Sequence, residues 1–143
     1  MERVKSILTR KGNRTLSVTP DTKVYDALAL MSENNIGAVL ILENEKLAGI
    51  FTERHYSRNV ILEGRNSLDT QIKEVMTQKV VTVSPEDTIE ECMELMTEKR
   101  IRHLPVVRGD RVIGIISIGD VVKHIIEEQE SVIEHLKLFM SGV

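Results

Sequence analysis

This chain of 143 residues is short of aromatic side chains and of cysteine. It holds no tryptophan, two phenylalanines, two tyrosines and one cysteine, Cys92. A lone cysteine excludes an intrachain disulfide framework. So few rings leave an aliphatic core. Charge of one sign is lacking too, since 19 lysines and arginines stand against 22 aspartates and glutamates, a net charge of −3. No overall basic field therefore draws the molecule to nucleic acid or to an anionic membrane. No apolar run approaches the roughly 20 residues of a membrane-spanning helix. The opening residues, from Met1 to Asn13, lack the apolar stretch and cleavage site of a signal peptide. His55, His103, His124 and His135 show neither HExxH spacing nor a Cys/His cluster, so no metal site is expected. Neither a Gly-rich phosphate loop nor a nucleophile elbow occurs, and no residue is singled out as catalytic. The expectation is a soluble, cytoplasmic chain, not an enzyme, long enough to bury a core.

What the chain does have is a repeat. Displaced by 65 positions, Val18, Pro20, Leu30, Met31, Glu33, Ile36, Gly49, Ile50 and Ile61 fall on Val83, Pro85, Leu95, Met96, Glu98, Ile101, Gly114, Ile115 and Ile126. A period of this length is one supersecondary unit written twice. Two such units pack face to face, and the cleft between them is the natural place for a ligand.

Each unit reads as helix, hairpin, helix. Val24, Ala27, Leu28 and Met31, and likewise Ile89, Cys92, Met93 and Met96, recur at helical spacing. Asp21 or Thr22, and Asp87 or Thr88, are the candidate caps. The apolar runs Ala38 to Leu42 and Leu104 to Val107 read as strands buried on both faces. Polar turns at 43–45 and 108–110 lead into partner strands. An amphipathic helix then closes each unit, with Tyr56, Val60 and Ile61 in one and Val121, Val122, Ile125 and Ile126 in the other. The segment Ile72 to Met76 echoes Val4 to Leu8 as a short helix. The halves divide into residues 1–64, 65–130 and a helical tail, 131–143. The tail carries an apolar stripe of Val132, Leu136, Phe139 and Met140, which needs a surface to cover.

The candidate chemistry lies where strand meets helix. The second unit reads Gly114-Ile115-Ile116-Ser117-Ile118-Gly119-Asp120. Gly114 allows a ligand or another backbone to approach the strand. Ser117 and Asp120 can both face the cleft, beside a helix N-terminus that suits phosphate. An ionised aspartate accepts two hydroxyl hydrogen bonds, as a ribose diol offers. The plainer reading is that Ser117 or Asp120 merely caps the helix.

Two such units, with the segment Lys99-Arg100-Ile101-Arg102-His103-Leu104-Pro105-Val106 and the turn Gly114 to Val122, resemble a tandem pair of CBS domains. That family is named for cystathionine β-synthase, and the pair is often called a Bateman module. The resemblance covers about Val4 to Glu128. It implies an α/β (α+β) fold of two pseudo-symmetric β-α-β-β-α repeats packed through their sheets, with a C-terminal helical extension. It also implies an adenosine-containing ligand between the repeats: AMP, ADP, ATP, or S-adenosylmethionine or NAD. Ser117 and Asp120 would hold ribose and the first phosphate. Leu16, Ile36, Gly37 and Ala38 would form the slot for the base.

The first repeat departs from the family pattern, for its turn reads Thr52-Glu53-Arg54-His55 with histidine in the aspartate position. His55 cannot clamp a diol as a carboxylate does. This second, degenerate site comprises Thr52, Arg54, His55, Val81, Ile101, Arg102 and His103. It either meets a phosphate through its basic residues, joined by Arg58, or is a solvated rim. Three functions follow for test: an adenine-nucleotide sensor acting in trans on an effector protein, a structural module that has lost its ligand, and a nucleotide-processing enzyme. The resemblance also implies a homodimer formed through helical faces.

Overall fold

The computed structural model describes residues 2–142 and centres on two hairpins. Strands β2 (Ala38–Glu43) and β3 (Lys46–Thr52) pair antiparallel from Ala38↔Thr52 to Glu43↔Lys46. Strands β4 (His103–Arg108) and β5 (Arg111–Ser117) pair from His103↔Ser117 to Arg108↔Arg111, the same rungs 65 residues on. Each hairpin slips register at the same place, between Ile41 and Leu42 or between Val106 and Val107. The first turn holds Asn44 and Glu45 at φ 53° and 66°, as the twist-matched two-residue turn demands.

A short strand β1 (Ser17–Val18) runs parallel to β2. The corresponding strand of the second repeat shrinks to a single bridge, Val83↔Val106. Proline explains the loss. The Leu40 amide donates to the Leu16 carbonyl at 3.1 Å, whereas the equivalent residue, Pro105, has no N–H to offer.

Helices α2 (Val24–Glu33) and α4 (Ile89–Lys99) cover the sheets. Thr88 caps α4, its hydroxyl accepting the Glu91 amide at 3.2 Å. The start of α2 departs from expectation. Its N-cap is Lys23, with no side-chain cap, while the Thr22 hydroxyl accepts the Thr19 amide instead. Both helices end alike, in left-handed Asn35 and Arg100, with the amides of Ile36 and Ile101 closing onto Met31 and Met96.

The copies exchange their first helices. Helix α1 (Val4–Lys11) buries Val4 and Ile7 in the core of the second repeat, with Ile89, Cys92, Leu104 and Ile116. The 3₁₀ turn Ile72–Glu74, its echo, sits in the first core, where Ile72 and Val75 pack with Val24, Val39 and Phe51. Gly114 and Gly49 make room for this crossing. A β-carbon on Gly114 would lie 2.7 Å from Leu8, and one on Gly49 would lie 2.6 Å from Met76 and 2.8 Å from the Thr77 carbonyl. Of the two approaches that Gly114 allows, by a ligand or by another part of the chain, the structure shows the second, with Leu8 of α1 packed against the bare strand.

The closing helices differ in length and winding. After β3 comes one α turn, α3 (Glu53–His55), which passes into a π-helical segment, Tyr56–Ile61. After β5 comes α5 (Ile118–Met140), 23 continuous residues that run into the expected tail, 131–143, as far as Met140; the tail's last residue, Val143, lies outside the described residues. A third apolar cluster joins the sheets: Ala38, Leu40 and Ile50 of one repeat meet Val112 and Ile115 of the other. The fold is mixed α and β, with the two repeats packed through their sheets. Among the described residues no helix is long and apolar enough to cross a membrane.

Candidate functional site

The sheet-to-sheet contact leaves a cavity on either flank. The smaller, about 310 Å³, is lined by Leu16, Ile36, Gly37, Ala38 and Ser117, five of the six residues marked for the main site. Lys11, Arg14, Asn34 and Asn35 line it as well, and none of these was singled out from sequence. Leu16, Ile36 and Ala38 come from the first repeat, Ser117 from the second, so the cavity is shared between copies.

Asp120 stands beside this cavity, not in its wall, and lines a smaller recess with Lys11. Its role in the free chain is that of a cap. Asp120 Oδ2 accepts the Ser117 amide at 2.8 Å, and Ser117 Oγ accepts the Asp120 amide at 3.2 Å. This reciprocal pair is a capping box. Lys11 Nζ also donates to Oδ2, at 2.5 Å. Burial pushes the carboxyl upward, but the Lys11 hydrogen bond and the Ser117 amide outweigh it and hold Asp120 below its ordinary value. The carboxylate is therefore ionised and ready to accept hydrogen bonds.

The larger cavity, about 520 Å³, gathers every residue marked for the second site: Thr52, Arg54, His55, Val81, Ile101, Arg102 and His103. The two cavities are pseudo-equivalent, since Val81, Ile101 and Thr52 occupy the places of Leu16, Ile36 and Ser117. They also touch, for Gly37 and His103 line both.

His55 does the capping work of the missing aspartate. Its Nδ1 accepts the Thr52 amide at 3.0 Å, and the Thr52 hydroxyl accepts the His55 amide at 3.3 Å. With Nδ1 an acceptor, the proton resides on Nε2, which donates to Thr77 Oγ1 at 2.8 Å. Burial lowers its affinity for a second proton, and the cations Arg54 and Arg58 lower it further. Protonated Nδ1 would confront the Thr52 N–H donor to donor. His55 is thus a neutral cap with both nitrogens engaged, and it has no free nitrogen for a phosphate.

Charge is what distinguishes this cavity. Arg54, Arg58, Lys79, Lys99, Arg100 and Arg102 line it against one carboxylate, Glu53. Sequence reading found Arg54, Arg58 and Arg102. Lys99 and Arg100 belong to the segment that carries the family resemblance but were not marked for the site, and Lys79, in the linker, was missed because no local motif marks it. Ile50, Val80, Val81 and Ile101 give the same cavity an apolar side.

Two other groups of titratable side chains lie outside the cavities. Cys92 is fully buried, and burial, with Asp87, Glu91 and Glu90 nearby, pushes its thiol up to about 12, so it packs as an inert apolar group. Glu2, His124 and Glu128 bring ligand-type atoms within 4.8 Å of one another. The Arg10 guanidinium, however, donates to His124 Nδ1, which leaves a proton and not a lone pair on Nε2. As arranged, this cluster does not suit a metal ion.

The family model described as CBS domain matches residues 4–61 and again 72–127. The chain belongs to the CBS-domain family. CBS pairs are regulatory modules that often bind adenosine ligands. The chain is 41% identical over 129 residues to the mitochondrial CBS domain-containing protein CBSX3 of Arabidopsis thaliana, covering 87% of this chain and 63% of that protein. It is 31% identical over 120 residues to the CBS domain-containing protein YhcV of Bacillus subtilis, covering 84% of this chain and 83% of that one. The solved structure of a CBS-domain protein from Burkholderia ambifaria is 48% identical, with a TM-score of 0.85, and the match covers 89% and 96% of the two chains. The CBS-domain protein ATU1752 of Agrobacterium tumefaciens is 40% identical, with a TM-score of 0.81 over 85% and 98%.

Proposed function

We propose that this CBS pair is a non-catalytic sensor that binds an adenosine-containing ligand between its repeats and signals in trans to an effector protein. One observation carries the reading. Leu16, Ile36 and Ala38 of one copy face Ser117 of the other across a cavity of about 310 Å³, with ionised Asp120 adjoining. An apolar slot for a base with a few convergent polar groups is what a small-molecule site requires. Lys11 sits between that slot and Asp120, within reach of a phosphate once the ribose hydroxyls take over the carboxylate. AMP, ADP and ATP are the ligands proposed, with S-adenosylmethionine and NAD as alternatives. A CBS pair of the same fold, 23% identical with a TM-score of 0.78, was solved with 5′-methylthioadenosine and S-adenosyl-L-methionine.

The sensor also works as an oligomer, with a homodimer the simplest form. Val122, Ile126, Ile133, Leu136 and Met140 on α5 are exposed, and Ile61 and Leu62 are exposed beyond α3. Apolar surface on this scale is covered in a stable assembly. A cyanobacterial CBS-CP12 protein, 26% identical with a TM-score of 0.75, was solved as a hexamer.

A second reading rests on the capping boxes. Ser117, Asp120, Thr52 and His55 all serve helix starts, so the chain could be a structural module without a ligand. A thermal-shift screen with AMP, ADP, ATP, S-adenosylmethionine and NAD separates the two. A ligand at 100 times its dissociation constant should stabilise the chain by about 2.7 kcal/mol. If no compound raises the melting temperature, the structural module replaces the sensor. Product formed in the same mixtures would overturn the non-catalytic part.

A further inference from the structure

We propose that the 520 Å³ cavity takes a triphosphate chain and recognises that chain in preference to the sugar it is attached to. The inference rests on the sensor reading above and divides its two cavities by ligand chemistry.

Six exposed cationic residues line this cavity: Arg54 and Arg58 from the turn after β3, Lys79 from the linker, and Lys99, Arg100 and Arg102 around the end of α4. Glu53 is the single carboxylate among the lining residues, and its Oε1 lies beside Gly37, as the His103 ring does, at the junction with the smaller cavity. Among the described residues, none of the six cations is in an ion pair. Arg54 donates only to the Arg100 carbonyl, at 2.9 Å. Like charges held around one space repel one another, and in a chain of net charge −3 this concentration is local, not general. A multiply charged anion relieves the repulsion. Lysine and arginine together satisfy phosphate oxygens as point charges and as planar forks. A monophosphate presents too little charge to engage six cations, whereas a triphosphate spans the set.

The sugar has no equivalent reader. Beside the smaller cavity the corresponding position is Asp120, a carboxylate able to accept two hydroxyls. Here it is His55, whose Nδ1 accepts from Thr52 and whose Nε2 donates to Thr77. No acceptor remains on that side chain for a ribose diol. The apolar side, with Val80, Val81 and Ile101, still offers a flat surface to a base.

Methyl NMR distinguishes the cavities, because Val80, Val81 and Ile101 report on the larger, and Leu16, Ile36 and Ala38 on the smaller. The probes are ATP, 2′,3′-dideoxy-ATP, inorganic tripolyphosphate and AMP. ATP and its dideoxy analogue should shift the larger-cavity methyls with affinities within about twofold of each other. Tripolyphosphate should displace both, and AMP should bind there at least about tenfold more weakly. Lys79→Ala and Arg102→Ala should each weaken ATP there by about tenfold, the loss of one charge-assisted hydrogen bond. AMP shifts at Leu16 and Ile36 should stay unchanged in both variants. If the dideoxy analogue loses tenfold, or AMP matches ATP, the division by chemistry is wrong. If ATP shifts only the smaller-cavity methyls, the inference fails while the sensor reading stands. If no adenosine compound shifts either set, the sensor reading fails and the inference falls with it.

Discussion

His55 shows how one substitution changes chemistry while preserving structure. Its imidazole replaces the aspartate of the other repeat as the third residue of a capping box, and the helix start is retained. What is lost is the negative charge. The sequence marks His55 as the odd residue of its motif, yet not what it does, because the Thr77 partner lies 22 residues away. The arrangement has a pH signature. Folded His55 and His103 bind protons less readily than an unfolded histidine at 6.5, in each case chiefly through burial. Their contribution to stability is therefore fully present above pH 6.5 and is lost as pH falls through the folded values. Melting temperature should fall on acidification below pH 6.5, and His55→Asn should make that fall shallower. An identical slope in the variant would mean that the neutral cap is not what titrates. Asp120, held low, acts only in a more acidic window, below its ordinary value of 3.8.

At the scale of elements, the repeat predicts two of everything, and the hairpins obey it rung for rung. The period does not say which core each short helix enters, and here they cross. Apolar residues at Val4 and Ile7 announce a buried face without naming the surface that buries it. Nor does the pattern of Tyr56, Val60 and Ile61 distinguish the π-wound segment from an ordinary helix, since both place residues four apart on one side. The two crossing points offer a paired test. Alanine at Gly49 meets the fixed Thr77 carbonyl at 2.8 Å, while alanine at Gly114 meets the flexible end of Leu8. Overpacking of this kind costs about 1–3 kcal/mol. Denaturant unfolding should show Gly49→Ala more destabilised than Gly114→Ala. Equal costs would show that the linker backbone moves as freely as a leucine side chain.

For the whole molecule, duplication builds two related grooves and divergence makes them unlike. The wall made by Leu16, Ile36 and Ala38 was legible only through the family resemblance, and Val81 and Ile101 are its positions one period on. The cationic ring was only half legible, for its members sit on segments that no short motif links. Asp120 was legible both as a carboxylate at the groove and as a helix cap, but its hydrogen bond from Lys11, a residue 109 positions earlier, was not.

The most direct test is calorimetric titration of AMP into the chain and into its Asp120→Ala variant. One binding site per chain is expected, absent from the variant although that protein still unfolds cooperatively. Two equivalent sites per chain, or undiminished binding without the carboxylate, would contradict the account.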